Sequence, residues 1–183
     1  MTKTIKPRCL IIGAEVAPFA KVGGLGDYIG SLPKALIEHN VTPAVATPFH
    51  EIIKQKNIKP LHRLAKLTVT FCDHPEVVTI WQTTLPNSTV PLYLFDNPHY
   101  LSRGDVYNST AVWDPVAKKM ASPRRRDVLR YLFFSQALAQ WLETKPHVFN
   151  IIHVNDWHLA PLCALLKTRY TTAALRSLLT IHN

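Results

Sequence analysis

Cysteine is scarce in this sequence of 183 residues, which contains only Cys9, Cys72 and Cys163. Their number is odd, their spacing is wide, and no two of them form a C-x-x-C pair. A disulfide framework and a cysteine-based zinc site are therefore both disfavoured. Two of the three have apolar neighbours, which is typical of buried free thiols.

Long hydrophobic runs are also missing, because no apolar stretch approaches the roughly 18 residues needed to cross a bilayer. The start of the chain, residues 1–6, is short and polar, and the apolar stretch 9–12 is too brief for a signal-peptide core. Hydrophobic residues make up 47% and charged residues 18%, which is the balance of one globular domain. The sequence predicts a soluble, non-secreted chain with no membrane partner. We expect it in the cytoplasm, or in a plastid if the source is a plant or an alga.

Acidic residues are few, since 12 Asp and Glu face 21 Lys and Arg, which gives a formal charge of +9. The positive charge is spread along the chain, and the one basic run is Arg124–Arg126, without interleaved aromatic residues. A solvated basic face or an anionic substrate explains this charge as well as a nucleic acid does. No nucleic-acid partner is predicted.

Glycine is the third scarce residue, with six in all, and four of the six fall between positions 23 and 30. A chain that concentrates its most permissive residue in one place has an unusual backbone requirement there. This segment is the first indication of a functional site.

Buried apolar runs alternate with segments of helical spacing along most of the chain. Apolar runs predict strands, and an apolar residue every third or fourth position predicts a helix. The predicted strands are 8–13, 42–47, 67–71, 77–81, 90–95, 150–154 and 177–181, and the predicted helices are 25–39, 126–143 and 159–170. This alternation predicts an open, mainly parallel α/β sheet.

Polar residues follow three of the predicted strands at the points where they end. Glu15 and the loop 21–27 follow the first, Asp156 and His158 follow the sixth, and His182 with Asn183 follows the last. Ligands of open α/β sheets bind beyond the carboxyl ends of the strands. In the loop, Lys21 and glycine N–H groups at a helix start suit a diphosphate.

Each of these residues also has a purely structural interpretation, which the sequence leaves open. The glycines could serve tight helix–strand packing, and Asp27 could be a first-turn carboxylate. Glu15 could be a solvated loop residue, Asp156 an N-cap, and His158 a neutral surface histidine. Residues between the elements are assigned to the surface, among them His50 and the Arg124–Arg126 run.

Six stretches of the chain together resemble one family. They are EVAPFAKVGGLGD at 15–27, GSLPKAL at 30–36, VPLYLFD at 90–96, DVLRY at 127–131, HVNDWH at 153–158 and TIHN at 180–183. In this order they resemble the bacterial and plant glycogen/starch synthases, the K-x-G-G-L glycosyltransferases of family 5. The resemblance covers nearly the whole chain, and its first motif is highly specific.

The resemblance implies a retaining hexosyltransferase that moves glucose from ADP-glucose to the non-reducing end of an α-1,4-glucan. The implied fold is GT-B, in which two Rossmann-like domains face each other across a cleft. This chain would be the N-terminal half, a mainly parallel sheet with helices on both faces. The resemblance implies no metal and no cofactor, because ADP-glucose is a substrate.

The resemblance also implies a role for each matching residue. The implied catalytic residues are Asp27, Asp156, His158 and His182. The implied substrate-binding residues are Glu15 in the cleft, Lys21 against the sugar nucleotide with the loop glycines Gly23 and Gly24, and Asn183.

The chain departs from the family pattern in three respects. Tyr28 stands where the family usually has valine, and Arg126–Asp127 replaces an Asp-Asn pair before the long helix. Family members are more than twice as long. We therefore expect residues 1–183 to be an N-terminal catalytic domain that is incomplete at its C-terminus, lacks its second GT-B domain and is inactive alone. The alternative is a non-catalytic glucan-binding or regulatory α/β module.

Overall fold

The computed structural model describes residues 6–107, 112–144, 148–169 and 175–182. Asn183, one of the predicted site residues, lies outside these ranges. The strands are β1 Arg8–Ile12, β2 Thr42–Pro48, β3 His62–Phe71, β4 His74–Thr84, β5 Pro91–Asp96, β6 Trp113–Asp114, β7 Lys119–Met120, β8 Ile151–Asn155 and β9 Arg176–Thr180. The helices are α1 Gly24–Glu38, α2 Glu51–Gln55, α3 Pro123–Glu143 and α4 Pro161–Arg169, with a 3₁₀ turn at Trp157–Leu159 before α4.

Seven strands form one sheet in the order β3-β4-β5-β2-β1-β8-β9. The five strands from β5 to β9 in this order run parallel, whereas β4 is antiparallel to both β3 and β5. Every residue of β1 and β2 after the first is buried, so both faces of the central strands are covered. The predicted mainly parallel α/β sheet is confirmed, and so is the expectation that the strands before Glu15, Asp156 and His182 are adjacent.

The differences from the predicted elements lie at their ends and in short segments. The strands β3 and β4 extend over 10 and 11 residues as one long hairpin. The five-residue helix α2 was not predicted, because it is too short to show a helical period. The predicted helix 159–170 is divided into the 3₁₀ turn and α4, and its last position lies outside the described residues.

Aromatic packing fixes the long helix α3 against the sheet. The indole ring of Trp141 lies 4.9 Å from Tyr93 and 5.5 Å from Phe95 between centroids, and Phe134 lies 5.3 Å from Phe95. Such tilted and edge-on contacts add to the burial of the rings. In the described part of the chain, no helix is both long and apolar enough to cross a membrane.

Candidate functional site

The carboxyl ends of β1, β8 and β9 meet at one edge of the sheet, where hydrogen bonds tie them together. Asn155 donates from Nδ2 to the carbonyl of Ile12 at 3.1 Å, and the Asp156 N–H donates to the carbonyl of Thr180 at 2.8 Å. The ring Nε2 of His182 lies 3.1 Å from Asn155 Oδ1. Parallel pairing therefore brings together three chain segments that are far apart in sequence.

Glu15 is the centre of this edge and is only 2% exposed. Its Oε2 accepts hydrogen bonds from the N–H groups of Val22 at 2.6 Å and Gly23 at 2.9 Å. Its Oε1 accepts from the Tyr107 hydroxyl at 2.9 Å. Three donors offset the desolvation of a buried carboxylate. The interpretation of Glu15 as a solvated loop residue is wrong, because this side chain holds the glycine loop against the sheet.

The same contacts correct the expected role of the loop backbone. The N–H groups of Val22 and Gly23 point to Glu15, so they do not face a phosphate. Helix α1 starts at Gly24, and the first-turn N–H groups of any helix lack acceptors within that helix. An anion that approaches this loop meets the helix start rather than the N–H of Gly23.

The glycines of the loop and of α1 fall into two groups. A Cβ added at Gly23 or Gly24 would meet no atom within 4 Å. At Gly26 it would lie 3.2 Å from the Glu15 carboxylate, and at Gly30 it would lie 2.7 Å from the carbonyl oxygen of Ala17. The packing interpretation is thus right for Gly26 and Gly30 and wrong for Gly23 and Gly24, which border open space.

Lys21 and Asp27 form an ion pair across the mouth of the loop. The Nζ–Oδ2 distance is 2.7 Å, and the side chains are 50% and 59% exposed. Asp27 lies in the first turn of α1, as the structural interpretation expected. Because ion pairs this exposed contribute only about 0–1 kcal/mol, an incoming charged ligand can replace either partner.

His158 lies in an aromatic pocket beside Glu15 and is 6% exposed. Its ring centroid lies 4.6 Å from that of Tyr131, 5.2 Å from that of Trp157 and 5.8 Å from that of Tyr107. Neither ring nitrogen has a hydrogen-bond partner among the residues that the structure describes. Burial lowers the pKa of His158, which favours the neutral ring, and the nearby Asp156 and Glu15 carboxylates partly oppose this shift. The surface interpretation of His158 is wrong.

Asp156 connects β8 to the 3₁₀ turn with φ 73° and ψ 163°. This conformation is otherwise confined almost entirely to glycine and costs on the order of 1–3 kcal/mol. Asp156 occupies the N-cap position of this turn, as the N-cap interpretation expected, but its side chain makes no cap hydrogen bond and is left available for another partner. Its Oδ1 lies 3.4 Å from the N–H of His182. Strain of this kind concentrates where a side chain must be aimed at a ligand.

His182 packs against Tyr28, the residue for which the sequence analysis expected valine. Their ring centroids lie 4.7 Å apart. Behind them, the His153 ring Nε2 lies 2.8 Å from the Thr180 hydroxyl. Burial, followed by the charge of His182, lowers the pKa of His153. Tyr28 therefore places an aromatic ring against the histidine that follows β9.

Two residues of this region were not found by sequence analysis. Tyr107, which donates to Glu15, belongs to none of the quoted motifs, and no sequence signal distinguishes it. His50, expected at the surface, is fully buried, and its Nε2 lies 2.8 Å from the carbonyl oxygen of Ala14. Burial and the charge of Arg130 lower the pKa of His50 to about 3, so its ring is neutral and the Nε2–H donates.

Arg130, in α3, positions the segment that carries Tyr107. Its guanidinium donates to the carbonyl oxygens of Tyr100 at 3.0 Å, Val106 at 2.8 Å and Arg103 at 2.5 Å, and also to that of Asp105. Arg130 is 1% exposed, so these contacts compensate a buried charge. One side chain thereby fixes the course of residues 100–106.

The chain is similar to known proteins over nearly its whole length. Residues 8–183 match the family described as starch synthase catalytic domain. The chain is 34% identical over 178 residues to a glycogen synthase from Thermosipho melanesiensis, covering 94% of this chain and 34% of that protein. It is 31% identical over 180 residues to a glycogen synthase from Streptococcus agalactiae, covering 96% and 34%.

A solved structure shows the same fold. The catalytic domain of starch synthase IV from Arabidopsis thaliana, bound to ADP and acarbose, superimposes with a TM-score of 0.78 at 26% identity. The match covers 97% of this chain and 34% of that one, and the chain likewise spans about a third of the length of the glycogen synthases. The match over residues 8–183 shows that this chain, with the sheet edge built around Glu15, belongs to the starch synthase catalytic domain family of glycosyltransferases.

Proposed function

We propose that this chain supplies one wall of an active site that transfers glucose from ADP-glucose to the non-reducing end of an α-1,4-glucan, the anomeric configuration being retained. The other wall would come from a second GT-B domain. The observation that carries this proposal is the Glu15 carboxylate, which holds the Lys21 loop and Tyr107 at the strand ends where Asp156, His158 and His182 meet. Similarity to glycogen synthases, and to a starch synthase bound to ADP and acarbose, supports the substrate classes.

Lys21 would contact the diphosphate of the sugar nucleotide. Its ammonium group is half-exposed and held by Asp27 at 2.7 Å, so it is positioned at the mouth of the loop before any ligand arrives. A diphosphate offers a stronger charge-assisted partner than a solvated carboxylate does. The positive charge would stabilise the ADP leaving group as the glycosidic bond breaks. Asp27, released from the pair, would accept a hydrogen bond from a sugar hydroxyl.

The transferred glucose would lie against His158, Asp156 and His182. The buried ring nitrogens of His158 have no partner within the described residues, and an unsatisfied buried polar atom costs about 1–3 kcal/mol. A sugar hydroxyl would satisfy them, because a neutral imidazole offers one donor and one acceptor. The Asp156 carboxylate lies 3.4 Å from the backbone nitrogen of His182, and its strained backbone supports a contact to glucose at this edge.

The experiment that tests this proposal joins the chain to the second domain of a glycogen synthase relative. Transfer of labelled glucose from ADP-glucose to maltoheptaose is then measured for the fusion and for its Lys21→Ala variant. Loss of one charge-assisted contact, at about 1.5–3 kcal/mol, should lower the rate roughly ten- to a hundredfold. Lys21→Arg should restore only part of the rate, because a planar guanidinium does not replace a compact ammonium.

Lys34→Ala is the matched control, because Lys34 is exposed on α1, the helix that the loop precedes. We expect this variant to keep the wild-type rate, and both variants to keep the wild-type melting temperature. Full activity of Lys21→Ala, or loss of activity through unfolding alone, would contradict the assignment of Lys21. A fusion that binds maltoheptaose but transfers no glucose would favour the non-catalytic glucan-binding module.

A further inference from the structure

A second cavity, of about 490 Å³, lies apart from the Glu15 site. We call it the Trp113 cavity. Its lining includes Glu76, His99, Tyr100, Arg103, Trp113 and Met120. It combines exposed aromatic and aliphatic side chains with a carboxylate, an imidazole and a guanidinium. Sites for small ligands typically consist of an apolar wall with a few polar groups of this kind.

The Trp113 cavity opens at the same edge of the sheet as the candidate active site. Thr79 of β4 pairs with Asp96, the last residue of β5, so residues 74–78 extend beyond the carboxyl end of β5. Strands β4 and β1 are three places apart in the sheet. At about 4.8 Å per strand, these two strands lie roughly 14 Å apart across the sheet, a lateral distance that a short oligosaccharide spans.

One segment, residues 100–107, connects the two sites. The carbonyl groups of Tyr100, Arg103 and Val106 all accept hydrogen bonds from the Arg130 guanidinium. Tyr100 and Arg103 line the Trp113 cavity, whereas Tyr107, next to Val106, donates to Glu15. The Arg130 guanidinium thus contacts the segment that lines the cavity and the residue next to Tyr107, so it ties the two sites together.

An ion pair to a buried carboxylate anchors the hairpin that carries Trp113. Trp113 is 52% exposed and lies in the hairpin of β6 and β7, two strands of two residues each. The neighbouring Asp114 is fully buried, forms an ion pair with Arg125 of α3, and accepts hydrogen bonds from the N–H groups of Val116 and Ala117. The expectation that Arg124–Arg126 is a solvated run is therefore wrong for Arg125, which pairs with Asp114. So short a hairpin needs such an anchor to keep an indole ring exposed.

We propose that the Trp113 cavity is an outer subsite for the α-1,4-glucan acceptor, with the indole ring of Trp113 stacked on a glucose ring. The inference rests on the proposed function. A polymeric acceptor is longer than one active site and must cross the surface beside it. A glucose unit presents a face of C–H groups to an aromatic ring, and hydroxyl groups at its rim. The Arg103 guanidinium offers donors to those hydroxyls, and the ring of His99, whose Nδ1 lies 2.8 Å from Glu76 Oε1, offers its other nitrogen.

Glucan binding to the 183-residue chain tests this inference by affinity electrophoresis in gels that contain glycogen, with maltoheptaose as competitor. Loss of the stacking partner in Trp113→Ala should weaken the apparent association with glycogen about fivefold. Trp113→Tyr keeps an aromatic face and should retain most of the affinity. Val116→Ala is the matched control, because Val116 is 65% exposed on the same hairpin but does not line the cavity. Its association should equal that of the wild type.

Three outcomes would overturn the inference. The first is wild-type association in Trp113→Ala, and the second is an equal loss in Trp113→Ala and Val116→Ala. The third is self-association of the wild-type chain that Trp113→Ala abolishes in analytical ultracentrifugation, which would assign the patch to a second copy of the chain. None of the three bears on glucose transfer by the Lys21 fusion, so failure of this inference is distinguishable from failure of the proposed function.

Discussion

At the scale of residues, single buried polar side chains set the geometry of the candidate site, and His50 is an example. Its ring lies beneath the end of β1, where the Ala14 carbonyl oxygen receives both the His50 Nε2–H at 2.8 Å and the Thr47 hydroxyl at 3.3 Å. Ala14 immediately precedes Glu15. The neutral form of His50 is therefore a positioning group for the carboxylate that holds the loop.

The lowered pKa of His50 makes a prediction about acid stability. Its pKa is about 3 in the folded chain and close to 6.5 in the unfolded chain, so the unfolded chain binds more protons between these values. The stability that neutral His50 contributes is complete above pH 6.5 and is lost as the pH falls toward 3. From pH 7.5 to pH 5 we expect this residue alone to reduce the free energy of unfolding by about 2 kcal/mol.

Urea unfolding at several pH values measures this effect. His50→Gln can still donate to the Ala14 carbonyl but does not titrate, so its free energy of unfolding should change less between pH 7.5 and pH 5. A residual slope should remain, because burial also lowers the pKa of His153 and His158. His62→Gln, at an exposed position of β3, is the control and should follow the wild type. An unchanged slope in His50→Gln would contradict the assignment of His50 as a buried neutral group.

At the scale of elements, helix α1 has two distinct requirements for glycine. Gly30 faces the carbonyl oxygen of Ala17, and a methyl group there would lie 2.7 Å from that oxygen. Gly24, the first residue of the helix, faces open space. One glycine is thus required by packing, and the other leaves room for a ligand at the helix start.

Alanine substitutions separate these two requirements. Gly30→Ala should lower the free energy of unfolding by about 1–3 kcal/mol, the cost of overpacking. Gly24→Ala should change it by no more than about 0.5 kcal/mol. In the fusion with a second domain, Gly24→Ala should still lower glucose transfer by roughly tenfold, because its Cβ enters the space that the sugar nucleotide would occupy. Denaturant unfolding and labelled glucose transfer, measured on both variants, check the pair. Full transfer by Gly24→Ala would show that no ligand approaches there.

At the scale of the whole molecule, the polar residues of the site all lie along one sheet edge. The chain spans about a third of the length of its glycogen synthase relatives. Glycosyl transfer with ADP as leaving group requires charge stabilisation in a site from which water is excluded. A single open edge, with Lys21 and Asp27 half-exposed, does not exclude water.

The 183-residue chain alone should therefore transfer no glucose from labelled ADP-glucose to glycogen. The fusion with a relative's second domain is the positive control under the same conditions, and the fusion carrying Lys21→Ala sets the detection limit. Incorporation of label by the chain alone above that limit would show that one wall suffices. In that case the role of a second domain in the proposal would be wrong.

The sequence by itself determined the sheet and the sheet edge at which the candidate site lies, because both depend on local patterns. Apolar runs that end in polar residues predict parallel strands with ligands at their carboxyl ends, and β1, β8 and β9 are indeed neighbours. The glycine-rich segment after β1 identifies the loop that Lys21 occupies. Family motifs then give expected roles for the residues within each motif. They do not show which residues of different motifs contact each other.

Only the tertiary structure decided which side chains meet and which groups are buried. Tyr107 and Glu15 are 92 positions apart in sequence, so no local pattern connects them. His50 lies next to apolar Phe49 in a short segment without a clear period, and only the packing around Ala14 buries it. The difference between Gly24 and Gly30 depends on whether Ala17 lies opposite, which the path of the chain in three dimensions determines. The burial and the partners of a side chain depend on residues that are far away in sequence, whereas a sequence pattern reports only on residues that are close in sequence.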